Sequence, residues 1–508
     1  MLQVSLLFES LRSQPRLTFW VAVLLHATLW TLVPAIFYSA PPGELPIVLA
    51  IGHEFQLGSD RGPPLAFWLA EVAYRLSGGM AGVYLLSQIC IVATLFGIFV
   101  LGRSIVGTLQ AVLAVLLMIG IAVMWMPTPE FGPAILAMPI WTMVLVHFWR
   151  AVGEGRSEYW IALAISMGIL LLTTSLGWIF FILLGVFALS SPHGRAPFRR
   201  IDPWLCVFVS ILVAAPYLAW LARADDVWKP GLMRLYSADL AAAAVEWLRV
   251  LWNLAVAHAG VVLLVVLAIP WRLPQGYRLP TVNRPEMQPL AKSMIYFFAL
   301  APALAATGAA ALLGQSWSLA AVGPLIVCTG LAVVVLGGNQ IPLYRQRLLS
   351  MAWFALLVGP PVAWAVALML FPWTLATDFK VFYPTAELGR FFTETFERRT
   401  GRPLAIVAGD PEIAALVALD RRTRPSLLID APVRSRWVGV ADARAQGAVV
   451  VWPATDTPGT PPPHIRASFP NLVAEVPRVF ERSIEGRLPP LRIGWAMIRP
   501  QAANTAPR

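Results

Sequence analysis

The sequence predicts a polytopic α-helical membrane protein, with about eleven transmembrane helices, that ends in a small extracytoplasmic α/β domain. Three observations predict this fold class. Of the 508 residues, 58% are hydrophobic and only 13% are charged, which is more apolar surface than one water-soluble core can bury. Uncharged runs long enough to span a membrane recur through the first three quarters of the chain. From about residue 376 the charge content returns to that of a soluble domain.

A membrane helix needs about 20 apolar residues to cross roughly 30 Å of hydrocarbon. The runs that meet this requirement are residues 18–38, 82–102, 108–126, 131–149, 159–189, 204–222, 247–269, 293–314, 317–337 and 349–373. The run 159–189 is too long for one crossing and holds the polar, glycine-containing stretch 173–177 in its middle. We therefore predict two short crossings there, separated by a break.

Arginine and lysine between the spans predict the orientation, because these residues favour the cytoplasmic side. The clusters include Arg12 and Arg16, then Arg150 and Arg156, then Arg195, Arg199 and Arg200. If they are cytoplasmic, the N-terminus is cytoplasmic as well, and residues 39–80, named the first loop below, face outward together with everything after residue 374. The net charge of +11 then reflects orientation, and we expect no nucleic acid as a partner.

Two domains are expected, a transmembrane domain at residues 1–375 and a soluble α/β domain at 376–508. In the second domain, periodicity predicts an amphipathic helix, a helix capped by Asp410 and three short strands. These elements are, in chain order, helix 386–399, strand 403–408, helix 410–419, strand 426–429 and strand 448–452. We expect no catalysis in this domain.

The first loop concentrates the residues that can carry chemistry. Glu44, at the exit of the first span, is placed to act as a general base or to position a metal near the membrane plane; the alternative is a solvated loop glutamate. Arg61 can bind phosphate oxygens with two N–H groups, and its alternative is a headgroup-facing arginine. Lys229 and Arg234 are further outward cations that bind an anionic substrate or, alternatively, face lipid headgroups or solvent.

A metal ion is predicted only weakly. His53 and Glu54 are adjacent ligands without a partner at metal-binding spacing, so the cofactor is unknown and a divalent cation stays open. The alternative for His53 is a hydrogen-bonded loop histidine, and we also consider it as a substrate-binding residue.

Two segments resemble a known family. The first is residues 43–69, where an acid follows the first span and is followed by Gly52-His53 with Gly58, and then by the stretch Pro63 to Leu69. This segment resembles the first periplasmic loop of the bacterial family 39 glycosyltransferases, the group of protein O-mannosyltransferases and aminoarabinose transferases. The second is Pro-Thr-Pro-Glu at 127–130 with residues 135–141, which is similar to the family's second outward loop and the span after it.

The resemblance implies a C-type glycosyltransferase fold in a bacterial inner membrane, with the C-terminal domain in the periplasm. It implies transfer of a hexose or pentose from a polyprenyl-phosphate donor to a lipid, glycan or protein acceptor, with membrane lipids as further partners. The family's two loop acids correspond to Glu44 and Glu130 as catalytic residues. The chain departs from the family at Gly43, where an aspartate is usual, and at Gly62, where a histidine commonly precedes the Pro-Pro pair.

Two other functions are compatible with the sequence. A transporter or flippase of lipid-linked substrates needs polar groups near the bilayer midplane, and the 173–177 break is the hint of such a site. A non-catalytic envelope-assembly scaffold would tolerate the joint replacement of the loop acids and Arg61.

Overall fold

The computed structural model describes residues 10–11, 13–126, 128–237, 239–269, 287–314, 320–338, 346–420, 422–429 and 436–501. The chain divides into two compact units. The helical unit comprises Met1–Val33 and Tyr84–Ala363, and the loop-and-sheet unit comprises Pro34–Val83 and Trp364–Arg508. The first loop therefore groups with the C-terminal residues and not with the helices that flank it in sequence. The domain boundary near residue 375 stays a prediction.

The chain has several helices that are long and apolar enough to cross a membrane, which confirms the prediction of a multi-pass membrane protein. Among the described residues, seven meet this condition: Pro15–Phe37, Met80–Ile105, Pro133–Gly153, Asp202–Leu221, Leu240–Ala257, Pro289–Leu312 and Arg347–Thr374. An eighth results if the helix Leu176–Ser190 and the segment Pro192–Arg199, bent by 111°, form one span. The shorter apolar helices are Thr108–Met118, Tyr159–Leu171, Ala259–Ala268 and Ala321–Leu336.

Within the described residues, each predicted apolar run overlaps one of these helices or a consecutive pair. The break predicted inside 159–189 is present, because one helix ends at Leu171 and the next begins at Leu176. The run 108–126 is helical only to Met118, after which the chain turns into a short 3-10 helix at Ala122–Met124. This turn lies against Gly260. A Cβ atom on Gly260 would lie only 2.2 Å from the carbonyl oxygen of Gly120, so the close approach requires a glycine at position 260. The exact number of crossings stays a prediction.

The C-terminal residues form a mixed five-stranded sheet, which confirms the α/β prediction. Its strands are β1 (Ile406–Gly409), β2 (Ser426–Ile429), β3 (Ala448–Pro453), β4 (Ala474–Phe480) and β5 (Leu491–Ile498). The strand order is β2-β1-β3-β5-β4; β1 is parallel to β2 and β3, whereas β5 is antiparallel to β3 and β4. The sequence predicted the first three strands and missed the last two. Pro477 lies within β4, where the register shifts between Glu475 and Arg478, so no regular alternation marks this strand.

Helices Thr385–Thr400 and Pro411–Ala418 pack together, and the second also packs on the sheet. The first corresponds to the predicted amphipathic helix, and it buries Phe392 and Phe396. The second begins as predicted at Asp410, whose carboxylate accepts hydrogen bonds from the backbone N–H groups of Glu412 and Ile413, both at 3.1 Å. Both helices therefore follow from local sequence signals.

Candidate functional site

The first loop folds into two helices, Leu45–His53 and Leu65–Ser77, that pack against each other. They approach closely at Gly52, where a Cβ atom would lie 2.2 Å from the carbonyl oxygen of Phe67. A tight turn joins them, in which Ser59 and Gly62 exchange backbone hydrogen bonds of 3.1 Å. The second helix contains residues 65–69 of the stretch that resembles the family. The two helices thus hold the loop as a compact helical hairpin.

Glu44 and Arg61, predicted separately as a base and a phosphate ligand, are in contact. Glu44 occupies the N-cap position of the helix Leu45–His53. Nη1 of Arg61 donates a 2.6 Å hydrogen bond to Oε1 of Glu44, and the two side chains are 33% and 63% exposed. The backbone N–H of Arg61 donates to Oγ of Ser59 at 3.2 Å, which fixes the arginine in the turn. A negative and a positive group are therefore presented side by side to solvent.

His53 lies at the other end of the same helix, which rises about 14 Å over its length. Its Nδ1 atom is 3.2 Å from Oε1 of Glu71 and 3.1 Å from Nη2 of Arg75. This nitrogen can donate to the carboxylate or accept from the guanidinium, but one tautomer cannot do both. The alternative of a hydrogen-bonded loop histidine fits this geometry, and a substrate-binding role for His53 stays a prediction.

Glu71 is the residue that sequence reasoning missed. Its side chain is only 1% exposed, and it pairs with Nε of Arg75 at 2.7 Å and with Arg424. Burial raises the pKa of Glu71, but the hydrogen bonds from His53 and Arg75 and the charge of Arg424 outweigh burial, so its pKa lies below the ordinary value. The sequence signal was a glutamate on the apolar face of an amphipathic helix, four residues before an arginine.

Glu130 lies in the helical unit, just before the helix Pro133–Phe148. Buried polar side chains contact the segment that leads to it: Nε2 of Gln88 donates to Oγ1 of Thr128 at 3.0 Å, and Nε2 of His26 lies 2.8 Å from the carbonyl oxygen of Met124. Pro127 of the predicted motif lies outside the described residues. A catalytic role for Glu130, and a groove shared with Glu44 and Arg61, stay predictions.

Lys229 and Arg234 lie on the helix Asp225–Tyr236 of the helical unit. Lys229 pairs with Asp225 at 2.5 Å in an exposed i, i+4 pair, and Arg234 is exposed. Their predicted binding role is not tested by this geometry. Among the described residues, no group of three or more His, Cys, Asp or Glu side chains could hold a metal ion, and a divalent cation remains open as a cofactor.

Comparison with solved structures identifies the fold. The fold is similar to the crystal structure of ArnT from Cupriavidus metallidurans bound to undecaprenyl phosphate, with a TM-score of 0.60 at 13% identity over 96% of this chain and 99% of ArnT. It is also similar to ArnT in the apo state, with a TM-score of 0.55 at 14% identity over 94% of this chain and 97% of ArnT. The chain is thus a multi-pass membrane protein with the fold of a C-type glycosyltransferase.

The sequence comparison is consistent with this class. The family described as dolichyl-phosphate-mannose-protein mannosyltransferase matches residues 61–220, a segment that begins at Arg61 and includes Glu130. The predicted resemblance to the family 39 glycosyltransferases is thereby confirmed. No curated protein matches the chain significantly in sequence.

Proposed function

We propose that this protein is a glycosyltransferase of the bacterial inner membrane that moves a sugar from a polyprenyl-phosphate donor to an envelope acceptor at the periplasmic face. The observation that carries the proposal is the 2.6 Å pair of Glu44 and Arg61, in the loop that follows the first membrane helix. The ArnT-like fold and the mannosyltransferase family match support the reaction class. The undecaprenyl phosphate in the ArnT crystal structure supports a donor with a phosphate at the end of a polyprenol.

Arg61 is the proposed ligand of the donor phosphate. Only one of its N–H donors is used in the bond to Glu44, and a guanidinium has five. The remaining donors can bind two phosphate oxygens in the planar geometry that a lysine cannot provide. When the bond between the anomeric carbon and the phosphate oxygen breaks, the departing polyprenyl phosphate gains negative charge, and Arg61 stabilises that charge.

Glu44 is the proposed general base. Its carboxylate is exposed enough to meet an acceptor hydroxyl, and the hydrogen bond from Arg61 fixes its direction. The acceptor oxygen attacks the anomeric carbon from the face opposite the phosphate, its proton passes to Glu44, and the configuration of the sugar inverts. The products are the glycosylated acceptor, polyprenyl phosphate and a protonated carboxyl group. Glu130 assists as a second acid, while His53, Lys229 and Arg234 contribute to substrate binding.

The test is a transfer assay on the purified protein in liposomes, with polyprenyl-phosphate hexoses and pentoses as donors. Glu44→Gln keeps the shape of the side chain and removes the base, so we expect release of polyprenyl phosphate to fall by roughly 100-fold or more. Glu412→Gln is the matched control, because Glu412 is a similarly exposed carboxylate paired with Lys380. Full activity of Glu44→Gln would refute the assignment, and movement of the intact donor across the bilayer without its cleavage would identify a flippase instead.

A further inference from the structure

The C-terminal sheet domain is joined to the first loop by a charged cluster. Glu71, on the loop helix Leu65–Ser77, is paired with Arg424, which lies just before strand β2. The guanidinium of Arg424 also lies over the ring of Tyr74, 4.8 Å from its centroid, and the hydroxyl of Tyr74 donates to the carbonyl oxygen of Leu419 at 3.5 Å. All of these contacts lie within the loop-and-sheet unit.

Stability alone does not account for this cluster. A buried ion pair loses the hydration of both partners, so apolar residues of similar volume would hold the same surfaces together at least as well. The Glu71 side chain is 1% exposed and that of Arg424 is 13% exposed, so both have lost most of their hydration. In addition, the backbone of Arg424 has φ +45°, a left-handed conformation that residues with a side chain rarely adopt. The structure therefore holds Arg424 against its local preference, as is common at functional sites.

The position of Glu71 is transmitted to Glu44 by direct packing. A Cβ atom on Gly52 would lie 3.1 Å from Cβ of Glu71 and 2.2 Å from the carbonyl oxygen of Phe67. The helix that carries Glu71 therefore presses directly on the helix that begins after Glu44. The helix Leu45–His53 also packs on the helix Pro411–Ala418 and on strand β2. A displacement of Glu71 cannot be absorbed at Gly52, because backbone meets backbone there.

We propose that Arg424 and Glu71 are positioning residues, through which the C-terminal sheet domain sets the place of the Glu44–Arg61 pair. The inference rests on the function proposed above, since it assigns the sheet domain a part in the same reaction. Arg424 fixes Glu71 by an ion pair, and Glu71 and Phe67 pack directly against Gly52. The helix that contains Gly52 begins directly after Glu44. The C-terminal sheet domain thereby supports the first loop and fixes the position of Glu44.

Four variants test the inference in the full-length protein. Arg424→Met removes the charge but keeps much of the side-chain length, and Arg424→Lys restores the charge without the fork. The double variant Glu71→Gln with Arg424→Met removes both charges, so that no buried charge is left facing an uncharged partner. Arg399→Met is the control, because Arg399 forms an exposed 2.5 Å pair with Glu475 in the same unit. Four quantities are measured: the thermal midpoint, amide hydrogen exchange of residues 45–53, and kcat and KM for the lipid-linked donor.

We expect Arg424→Met to accelerate exchange in residues 45–53, far from position 424 in sequence, and to lower kcat by roughly 10- to 100-fold with little change in KM. Arg424→Lys recovers part of both losses. The double variant regains part of the thermal midpoint but not kcat, because Glu71→Gln also weakens the contacts to His53 and Arg75. Arg399→Met changes none of these quantities.

Two results would overturn the inference: unchanged exchange of residues 45–53 in Arg424→Met, or recovery of kcat together with the thermal midpoint in the double variant. The second result would show that the cluster only stabilises the fold. If the wild-type protein transfers no sugar, the proposed function fails. The exchange measurement then still decides whether Arg424 positions the loop.

Discussion

Arg61 donates a 2.6 Å hydrogen bond to Glu44, seventeen positions earlier in the chain. The bond connects the turn at Ser59 and Gly62 with the start of the helix Leu45–His53, so the first loop closes on itself. A phosphate bound by the remaining N–H donors of Arg61 shares the guanidinium with Glu44 and weakens its bond to the carboxylate. Donor binding and release of the base for proton transfer are therefore coupled in the proposed reaction.

Replacement of Arg61 should affect the donor more than the acceptor. Loss of hydrogen bonds to a charged group costs about 1.5–3 kcal/mol, which corresponds to a rise in the KM for the donor of roughly 10- to 100-fold in Arg61→Ala. Arg61→Lys keeps the charge, so its KM for the donor should lie between those of Arg61→Ala and the wild type. Steady-state kinetics with varied donor concentration measure this. Arg422→Ala, which removes an exposed partner of Glu397, is the control, and an unchanged donor KM in Arg61→Ala would count against the phosphate role.

Gly52→Ala should destabilise the loop by about 1–3 kcal/mol, because the new methyl group meets the backbone carbonyl of Phe67 at 2.2 Å. The measurement is the thermal midpoint in detergent. Gly185→Ala is the matched control, since Gly185 lies inside the helix Leu176–Ser190 and a Cβ atom there meets nothing within 4 Å. Equal midpoints for both variants would show that the two loop helices can separate at no cost.

The pH dependence of stability should report on Glu71. A carboxylate whose pKa is lowered in the folded protein contributes stability that is present above its unfolded pKa and is lost as the pH falls through the folded value. The difference in thermal midpoint between wild type and Glu71→Gln should therefore be largest near neutral pH and should shrink in acid. Glu397→Gln, at an exposed ion pair, should show a small difference. A difference for Glu71→Gln that does not vary with pH would contradict the lowered pKa.

Cysteine labelling in intact cells tests the orientation. The native cysteines Cys90, Cys206 and Cys328 are buried, so their background reaction should be low. An impermeant maleimide should label Glu44→Cys, whose parent side chain is 63% exposed, and should not label Arg156→Cys, whose parent is 48% exposed and predicted to be cytoplasmic. Labelling of position 156 and protection of position 44 would show that the orientation is the reverse of the predicted one, and would rule out a periplasmic active site at Glu44.

The pattern of the sequence determined the elements that depend on neighbouring residues. Apolar runs predicted the membrane helices, the polar stretch 173–177 predicted a break, and Asp410 predicted the start of a helix. Strands β1 to β3 were predicted because they are short, apolar and bounded by turn signals. Strand β4 was not, since Pro477 and the register shift beside it erase the alternation that identifies a strand. Strand β5 was missed as well.

What only the tertiary structure decided is which of the charged residues meet. Glu44 and Arg61 were chosen from the sequence for separate reasons, and the fold of the hairpin brings them into contact. Glu71 is not among the residues that the sequence singles out, and only the fold places Arg424, 353 residues later, against it. Helices and strands depend on backbone geometry and hydrogen bonds over a few residues, so short stretches of sequence are enough to predict them. An ion pair between distant segments depends on how the whole unit packs, which no local pattern contains.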